Sequence, residues 1–247
     1  MALGALILWF CFPFFKKQKQ VNKQNSKIIF AGIFLAFHFI FFFKALKLTT
    51  IANATLFGTM APLFSILYEQ IFKQNKLHPK VYIGLFICLL GSMLIHYDSI
   101  KLGYDYLLGN FYAILCSLLL AITYNIGKNI RETTSTYYYT RTLFSSASFT
   151  LFCIMISRGN DFFNFSYNEY FIFILLGIIP TIFGHGILSY SLKFFPTTIV
   201  ISVPLGEPII ASFLGWLVFE EIISGMVMFC ALLVLGGLYF IIQNSSE

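Results

Sequence analysis

Glu207 is the residue of this sequence whose position most needs a chemical explanation. It lies between Pro204 and Pro208 in the apolar stretch SVPLGEPIIASFLGWLVFEE, residues 202–221. An acidic side chain at the centre of a membrane helix costs about 2.5–3.5 kcal/mol on insertion scales, and such residues usually mark the path of an ion or substrate. We therefore expect Glu207 to contact substrate or exchange a proton with it. The alternative is that it bonds freed backbone groups and only shapes the fold.

Prolines are the second kind of residue that could build a cavity here. Pro62 and Pro208 lie within apolar runs, and each is expected to kink its helix because proline lacks a backbone N–H. Broken helices are tolerated in membranes where the backbone faces a cavity or neighbouring helices. The two prolines thus predict either a paired hinge that lines a cavity or ordinary helix bending.

Two histidines and two neighbouring polar residues are further candidates for the same pathway. His185 in FGHGIL and His38 in AFHFIF could face a cavity and exchange protons near neutral pH. A hydrogen bond to a neighbouring helix is the plainer interpretation of each. Tyr124 and Asn125 in AITYNIGKNI add polar groups near a helix end, where interhelical hydrogen bonds are their ordinary role.

The sequence contains no recognisable motif of an enzyme or of a metal site. Its five cysteines all lie in apolar stretches without C-x-x-C spacing, which is typical of packing residues. The four histidines are scattered, and H-x-x-x-x-D, D-x-D and G-x-S-x-G are absent from the sequence. No catalytic residue, cofactor or metal is predicted, and an integral membrane enzyme that modifies lipids is the weaker alternative.

The elements that position these residues must be membrane helices. The 247 residues are 58% hydrophobic and 11% charged, with a mean hydropathy of +0.82, whereas soluble domains carry about 25% charged residues. We therefore predict an all-α polytopic membrane bundle, with lipid as its main solvent. Nine apolar windows predict its transmembrane helices: 1–15, 28–46, 49–72, 79–97, 106–127, 138–157, 169–192, 197–219 and 222–242.

The basic residues predict how the chain is oriented in the membrane. Most of the 16 lysines and arginines fall in alternate short loops, including those around 16–27 and 73–80. The positive-inside rule assigns these loops to the cytoplasm, which leaves the N-terminus outside and the C-terminus inside. Because the basic residues are divided among loops and form no single face, a nucleic-acid partner is not predicted.

The two halves of the sequence resemble each other at an offset of 146 residues. Lys47 then aligns with Lys193, and Pro62 aligns with Pro208. The predicted helix boundaries coincide at the same offset, but the matched helices cross the membrane in opposite directions. An inverted repeat of this kind is a recurrent plan in secondary transporters, with the substrate site near the membrane midplane.

The repeat predicts the organisation of the chain. The first repeat spans 1–97 with four helices, the second spans 106–242 with five, and 243–247 form a cytoplasmic tail. Span 106–127 has no counterpart in the first half. We therefore expect a five-plus-five plan that lacks its first helix.

Specific stretches carry a resemblance to a known family. TIFGHGILSYSLKFFPTTIVISVPLGEPIIASFLGWLVFEE and the later CALLVLGGLYFII resemble the C-terminal part of the drug/metabolite transporter superfamily, in its EamA-type branch. The residues that carry the resemblance are Glu207-Pro208, Glu220 and the glycine pair Gly236-Gly237. The chain departs from the pattern in lacking the first of ten helices and in having Gln74 where an acidic residue is expected.

The resemblance implies secondary active transport by alternating access. The expected substrate is a small metabolite, an amino acid or a drug, and the expected direction is export. The expected location is the inner (plasma) membrane of a bacterial cell, with the lipid bilayer as partner and a homodimer left open. A truncated remnant that no longer transports is the alternative.

Overall fold

The computed structural model describes most of the chain at side-chain level. The described residues are 1–10, 24–49, 51–73, 78–95, 104–159, 164–207, 210, 217 and 225–244.

Every regular element among the described residues is a helix, which confirms the predicted all-α class. The apolar windows explain this outcome, since a chain in lipid must satisfy its backbone polar groups internally. In chain order the helices are α1 (Ala2–Phe10), α2 (Asn25–Leu48), α3 (Ile51–Gly58), α4 (Ala61–Tyr68), α5 (Pro79–Ile95), α6 (Tyr104–Arg131), α7 (Thr136–Ser157), α8 (Tyr167–Leu176), α9 (Gly186–Ser191), α10 (Thr197–Val200) and α11 (Gly225–Gln243).

Long apolar segments of the described chain can cross a bilayer. Asn25–Leu48, Asp105–Arg131 and Tyr167–Ser191 each have the length and composition of a membrane span, for which about 20 apolar residues are needed. The last of the three is the most exposed, with large apolar side chains such as Phe171 and Phe183 on its surface. Side chains of this kind are stable there because lipid tails cover them.

The predicted span 49–72 is not one continuous helix. Helix α3 ends at Gly58, and α4 begins at Ala61 with Pro62 in its first turn. Proline fits that position because the first N–H groups of a helix have no intrahelical acceptor. Pro62 therefore starts a helix after the break, where the sequence predicted a kink within one helix.

The predicted span 169–192 contains a wide π-helical segment that sequence reasoning missed. Helix α8 continues into the π-helical residues Gly177–His185, with Pro180 inside them, and then into α9. Proline has no N–H to donate, so it interrupts the α-helical bonding pattern, and the wider π-helical turn occurs around it. The Thr181 hydroxyl donates to the Leu176 carbonyl at 2.9 Å within this turn.

The helices form two compact units, and each unit combines stretches from both halves of the chain. The units therefore do not follow the predicted repeat boundaries, which stay a prediction. The first unit is Met1–Phe37 with Ile122–Phe194, and the second is His38–Ala121 with Phe195–Glu247.

Within the second unit, α5 and α11 approach each other closely at glycines. A Cβ on Gly84 would lie 2.7 Å from the Gly237 carbonyl oxygen, and one on Gly237 would lie 2.6 Å from the Gly84 oxygen. The Cys88 thiol donates to the Val234 carbonyl at 3.3 Å, across a separation of 146 residues. This separation equals the offset of the predicted repeat, so the bond joins two positions that the prediction treats as equivalent.

Candidate functional site

Tyr124 and His185 form a polar pair inside the first compact unit. The Tyr124 hydroxyl lies 2.8 Å from His185 Nδ1, and the two rings stack at an interplanar angle of 14°. Tyr124 is buried, at 1% exposure, whereas His185 is half-buried. The pair thus connects a buried hydroxyl with a ring that is partly accessible, which is an arrangement able to bind or relay a proton.

The π-helical segment sets where His185 lies. His185 is its last residue, and α9 starts directly after it. Gly4 of α1 packs closely against this segment: a Cβ on Gly4 would lie 2.7 Å from Thr181 Cγ2. Single-turn π-bulges often occur at functional sites, and here the wider turn ends at a residue that the sequence had singled out.

Two basic side chains fix the end of α9, which follows His185. Lys128 Nζ donates to the Leu192 carbonyl at 2.9 Å, and Arg131 Nε donates to the Ser189 carbonyl at 2.9 Å. These carbonyls lie at the C-terminal end of a helix, where cations are favourable. Asn125 lies on the same stretch of α6 and is buried.

His38 belongs to a different site, inside the second compact unit. Its Nδ1 lies 2.9 Å from the Cys116 carbonyl oxygen and 3.1 Å from Cys116 Sγ. A carbonyl only accepts, so Nδ1 carries the proton and donates. His38 is 8% exposed and stacks against Phe42 at 6.5 Å. This is the interhelical hydrogen bond that the plainer interpretation anticipated.

Glu207 also lies in the second unit, at the point where a helix is broken. Helix α10 ends at Val200, the 3₁₀ turn Val203–Gly206 follows, and Glu207 starts the next helical residues. Pro204 occupies the first turn of the 3₁₀ segment, where its missing N–H costs no bond. The break therefore lies directly before the carboxylate.

Glu207 is exposed and also lies near a buried residue of the protein. Its side chain is exposed, yet its carboxyl interacts electrostatically with the fully buried Cys116 thiol. Cys116 thus contacts His38 and lies within electrostatic range of Glu207, which its apolar sequence context did not reveal.

The structure places the predicted site residues in two groups. Tyr124, Asn125 and His185 lie in the first unit, and His38, Pro62, Pro204 and Glu207 lie in the second. Pro208 lies outside the described residues, as do Gln74 and Glu220. Among the described residues, no group of three His, Cys, Asp or Glu side chains has the arrangement of a metal site.

One acidic residue of the site region was missed by sequence reasoning. Glu69 is buried, at 4% exposure, and accepts a hydrogen bond from the Thr198 hydroxyl at 3.1 Å. The signal that could have found it is an acidic residue inside the predicted span 49–72.

Comparisons with known proteins place the chain among transporters. The model of the EamA-like transporter family matches residues 1–97 and 107–243. "Uncharacterized transporter YxxF" of Bacillus subtilis (strain 168) is 25% identical over 84% of this chain and 68% of its own length. "Uncharacterized transporter YdfC" of the same organism is 23% identical over 97% of this chain and 78% of its own length.

A solved crystal structure shares the fold. It superposes with a TM-score of 0.79 at 17% identity, and the match covers 97% of this chain and 85% of the other. At this identity the likeness concerns the fold alone.

Proposed function

Because the chain belongs to the EamA-like transporter family, we propose that it is a secondary carrier that exports a small metabolite, an amino acid or a drug by alternating access. The membrane is the plasma membrane of a bacterium, the source of the two named relatives. The drug/metabolite transporter type and the integral membrane location rest on the family match and on the apolar helices.

The observation that carries the finer proposal is the position of Glu207. It is an exposed carboxyl in an otherwise apolar stretch, directly after a break in its helix. Broken helices in transporters leave backbone groups and helix ends beside the bound substrate. An acidic group within a membrane segment is by default a candidate for binding a solute or an ion.

Glu207 and His185 have distinct roles in the proposed transport. Glu207 contacts the substrate or the coupled proton directly, whereas His38, bonded to Cys116, has a structural role. His185, supported by the Tyr124 hydroxyl, supplies a second exchangeable proton within the first unit. A carrier needs binding groups whose bonds change between its two states, and a proton-exchanging side chain meets that requirement.

Reconstitution into liposomes tests the proposal. Purified protein is assayed with a panel of labelled amino acids, nucleosides and cationic drugs against empty vesicles, with and without an imposed proton gradient. We expect flux of at least one compound above the empty-vesicle rate, and at least a tenfold loss in Glu207→Gln.

The matched control is Glu169→Gln. Glu169 caps α8 through Ser166 at the exposed surface, and glutamine can replace glutamate in such a capping box. We expect this variant to keep the wild-type rate. Absence of flux for every compound, or equal rates in both variants, would contradict the proposal.

A further inference from the structure

Glu69 and Thr198 make a buried contact between two distant parts of the chain. The Thr198 hydroxyl donates to Glu69 Oε2 at 3.1 Å, across 129 residues. Glu69 is 4% exposed and Thr198 is fully buried. Both residues belong to the second compact unit.

The contact joins the two broken helices of that unit. Glu69 begins the π-helical turn Glu69–Lys73 that ends the predicted span 49–72. Thr198 lies in α10, which opens the predicted span 197–219. The predicted topology places the end of the first span and the start of the second on the same side of the membrane, as their contact requires.

A second hydrogen bond extends the contact toward Glu207. The Ser202 hydroxyl donates to the Thr198 carbonyl at 2.7 Å. Ser202 directly precedes the 3₁₀ turn Val203–Gly206, and Glu207 follows that turn. A series of two hydrogen bonds and one short turn therefore connects Glu69 with the start of the segment that carries Glu207.

The segment depends on such anchoring more than a regular helix does. Helix α10 has four residues and the 3₁₀ turn has four, and helices this short are not stable by themselves. A hydrogen bond between two buried groups is costly to break, because a buried polar group left without a partner is not solvated by water. The position of Glu207 is consequently sensitive to a bond that involves neither Glu207 nor its direct neighbours in the chain.

We propose that Glu69 is a positioning residue for the Glu207 site, acting through its hydrogen bond with Thr198. The inference rests on the proposed function in that Glu207 contacts the transported solute. Glu69 holds the segment 197–207 in place, and Glu207 binds.

Conservative pairs of variants test this role. Thr198→Ser keeps the hydroxyl, and Thr198→Val keeps the shape but removes it. We expect Thr198→Val to raise KM for transport at least fivefold with a smaller change in kcat, and Thr198→Ser to stay within twofold of wild type. Glu69→Gln retains an acceptor, so its KM should lie between the KM of Thr198→Ser and that of Glu69→Leu. The double variant Glu69→Leu/Thr198→Val should raise KM no more than either single change does.

A labelling assay that needs no substrate separates this role from the proposed function. In a Glu207→Cys background, the reaction rate of the introduced thiol with a small neutral maleimide reports its position. Peptide mass spectrometry distinguishes position 207 from the five native cysteines, of which Cys153 is exposed. We expect Thr198→Val to change this rate at least fivefold and Thr198→Ser to change it less than twofold.

Thr142→Val is the control for the loss of a hydrogen bond donated by a threonine hydroxyl. Thr142 donates only to the Tyr138 carbonyl of its own helix at 2.9 Å, so its loss should alter neither KM nor the labelling rate. Melting temperatures accompany all variants. Equal behaviour of Thr198→Val and Thr198→Ser in the labelling assay would overturn the positioning role, whether or not any flux is found.

Discussion

The predicted repeat places His38 and His185 on corresponding helices, one position out of register, but their surroundings in the structure differ. His38 belongs to the regular helix α2, is buried, and donates to the backbone carbonyl of Cys116. His185 ends a π-helical segment, is half-buried, and pairs with the Tyr124 hydroxyl. Both partners lie on α6.

The two histidines differ in what their hydrogen-bond partners can do. A histidine bonded to a backbone carbonyl has a fixed, structural partner. A histidine bonded to a hydroxyl has a partner that can either donate or accept, so its proton can move. The π-helical segment around Pro180 is the local change that separates the two environments.

The largest effect is expected on stability, from His38→Ala. This change removes a buried hydrogen bond and leaves a cavity beside Phe42, so it should lower the free energy of unfolding by about 2–3 kcal/mol. His185→Ala should cost less than about 1 kcal/mol because the ring is half-buried. Denaturation of the detergent-solubilised proteins measures both. Equal losses would remove the distinction between the two histidines.

The next effect is on transport, from His185→Ala. Without the ring, the proton-exchanging pair is lost, and the initial flux should fall about tenfold, which corresponds to about 1.4 kcal/mol. His38→Ala should keep its flux when rates are normalised to folded protein. Proteoliposome rates with a fluorescent size-exclusion assay of folding provide the comparison. A greater flux loss in His38→Ala would reverse the assignment.

Tyr124→Phe tests the hydroxyl alone. The lost hydrogen bond should lower the free energy of unfolding by about 1 kcal/mol. A transport barrier raised by about 1 kcal/mol would reduce the flux per folded protein roughly fivefold. Wild-type flux in this variant, together with an inactive His185→Ala, would show that the histidine acts without the tyrosine.

The smallest effect is expected from Cys116→Ser. His38 donates to the backbone carbonyl of this residue, which the substitution leaves in place. Stability should therefore change by less than about 1 kcal/mol. A loss as large as that of His38→Ala would identify the thiol, and not the carbonyl, as the important partner.

Helix positions were largely predictable because the apolar windows are long and bounded by charges. The window 138–157 corresponds to α7, Thr136–Ser157, and the window 79–97 corresponds to α5, Pro79–Ile95. Glu207 and His185 could be named as candidates because polar side chains stand out in apolar sequence. Their roles remain predictions.

Side-chain partners could not be predicted. Tyr124 and His185 were both named, but their pairing across 61 residues depends on how each helix is rotated. In membrane helices that are apolar on all sides, no polar stripe shows which face is inward. Glu69 and Thr198 escaped notice for the same reason, since only the packing of their helices brings them together.

Breaks in helices were predicted only in part. The sequence predicted kinks at Pro62 and Pro208, but α3 already ends at Gly58, before Pro62. Within the π-helical segment, the Thr181 hydroxyl donates to the Leu176 carbonyl. Such a bond depends on a side-chain rotamer, which the order of residues does not specify.

Alternating access requires that position 207 be reachable from each side of the membrane in turn. A Glu207→Cys variant in right-side-out and inside-out vesicles, treated with a membrane-impermeant thiol reagent, measures this most directly. We predict labelling of position 207 from both faces of the membrane. Labelling from one face alone, or from neither, would contradict it.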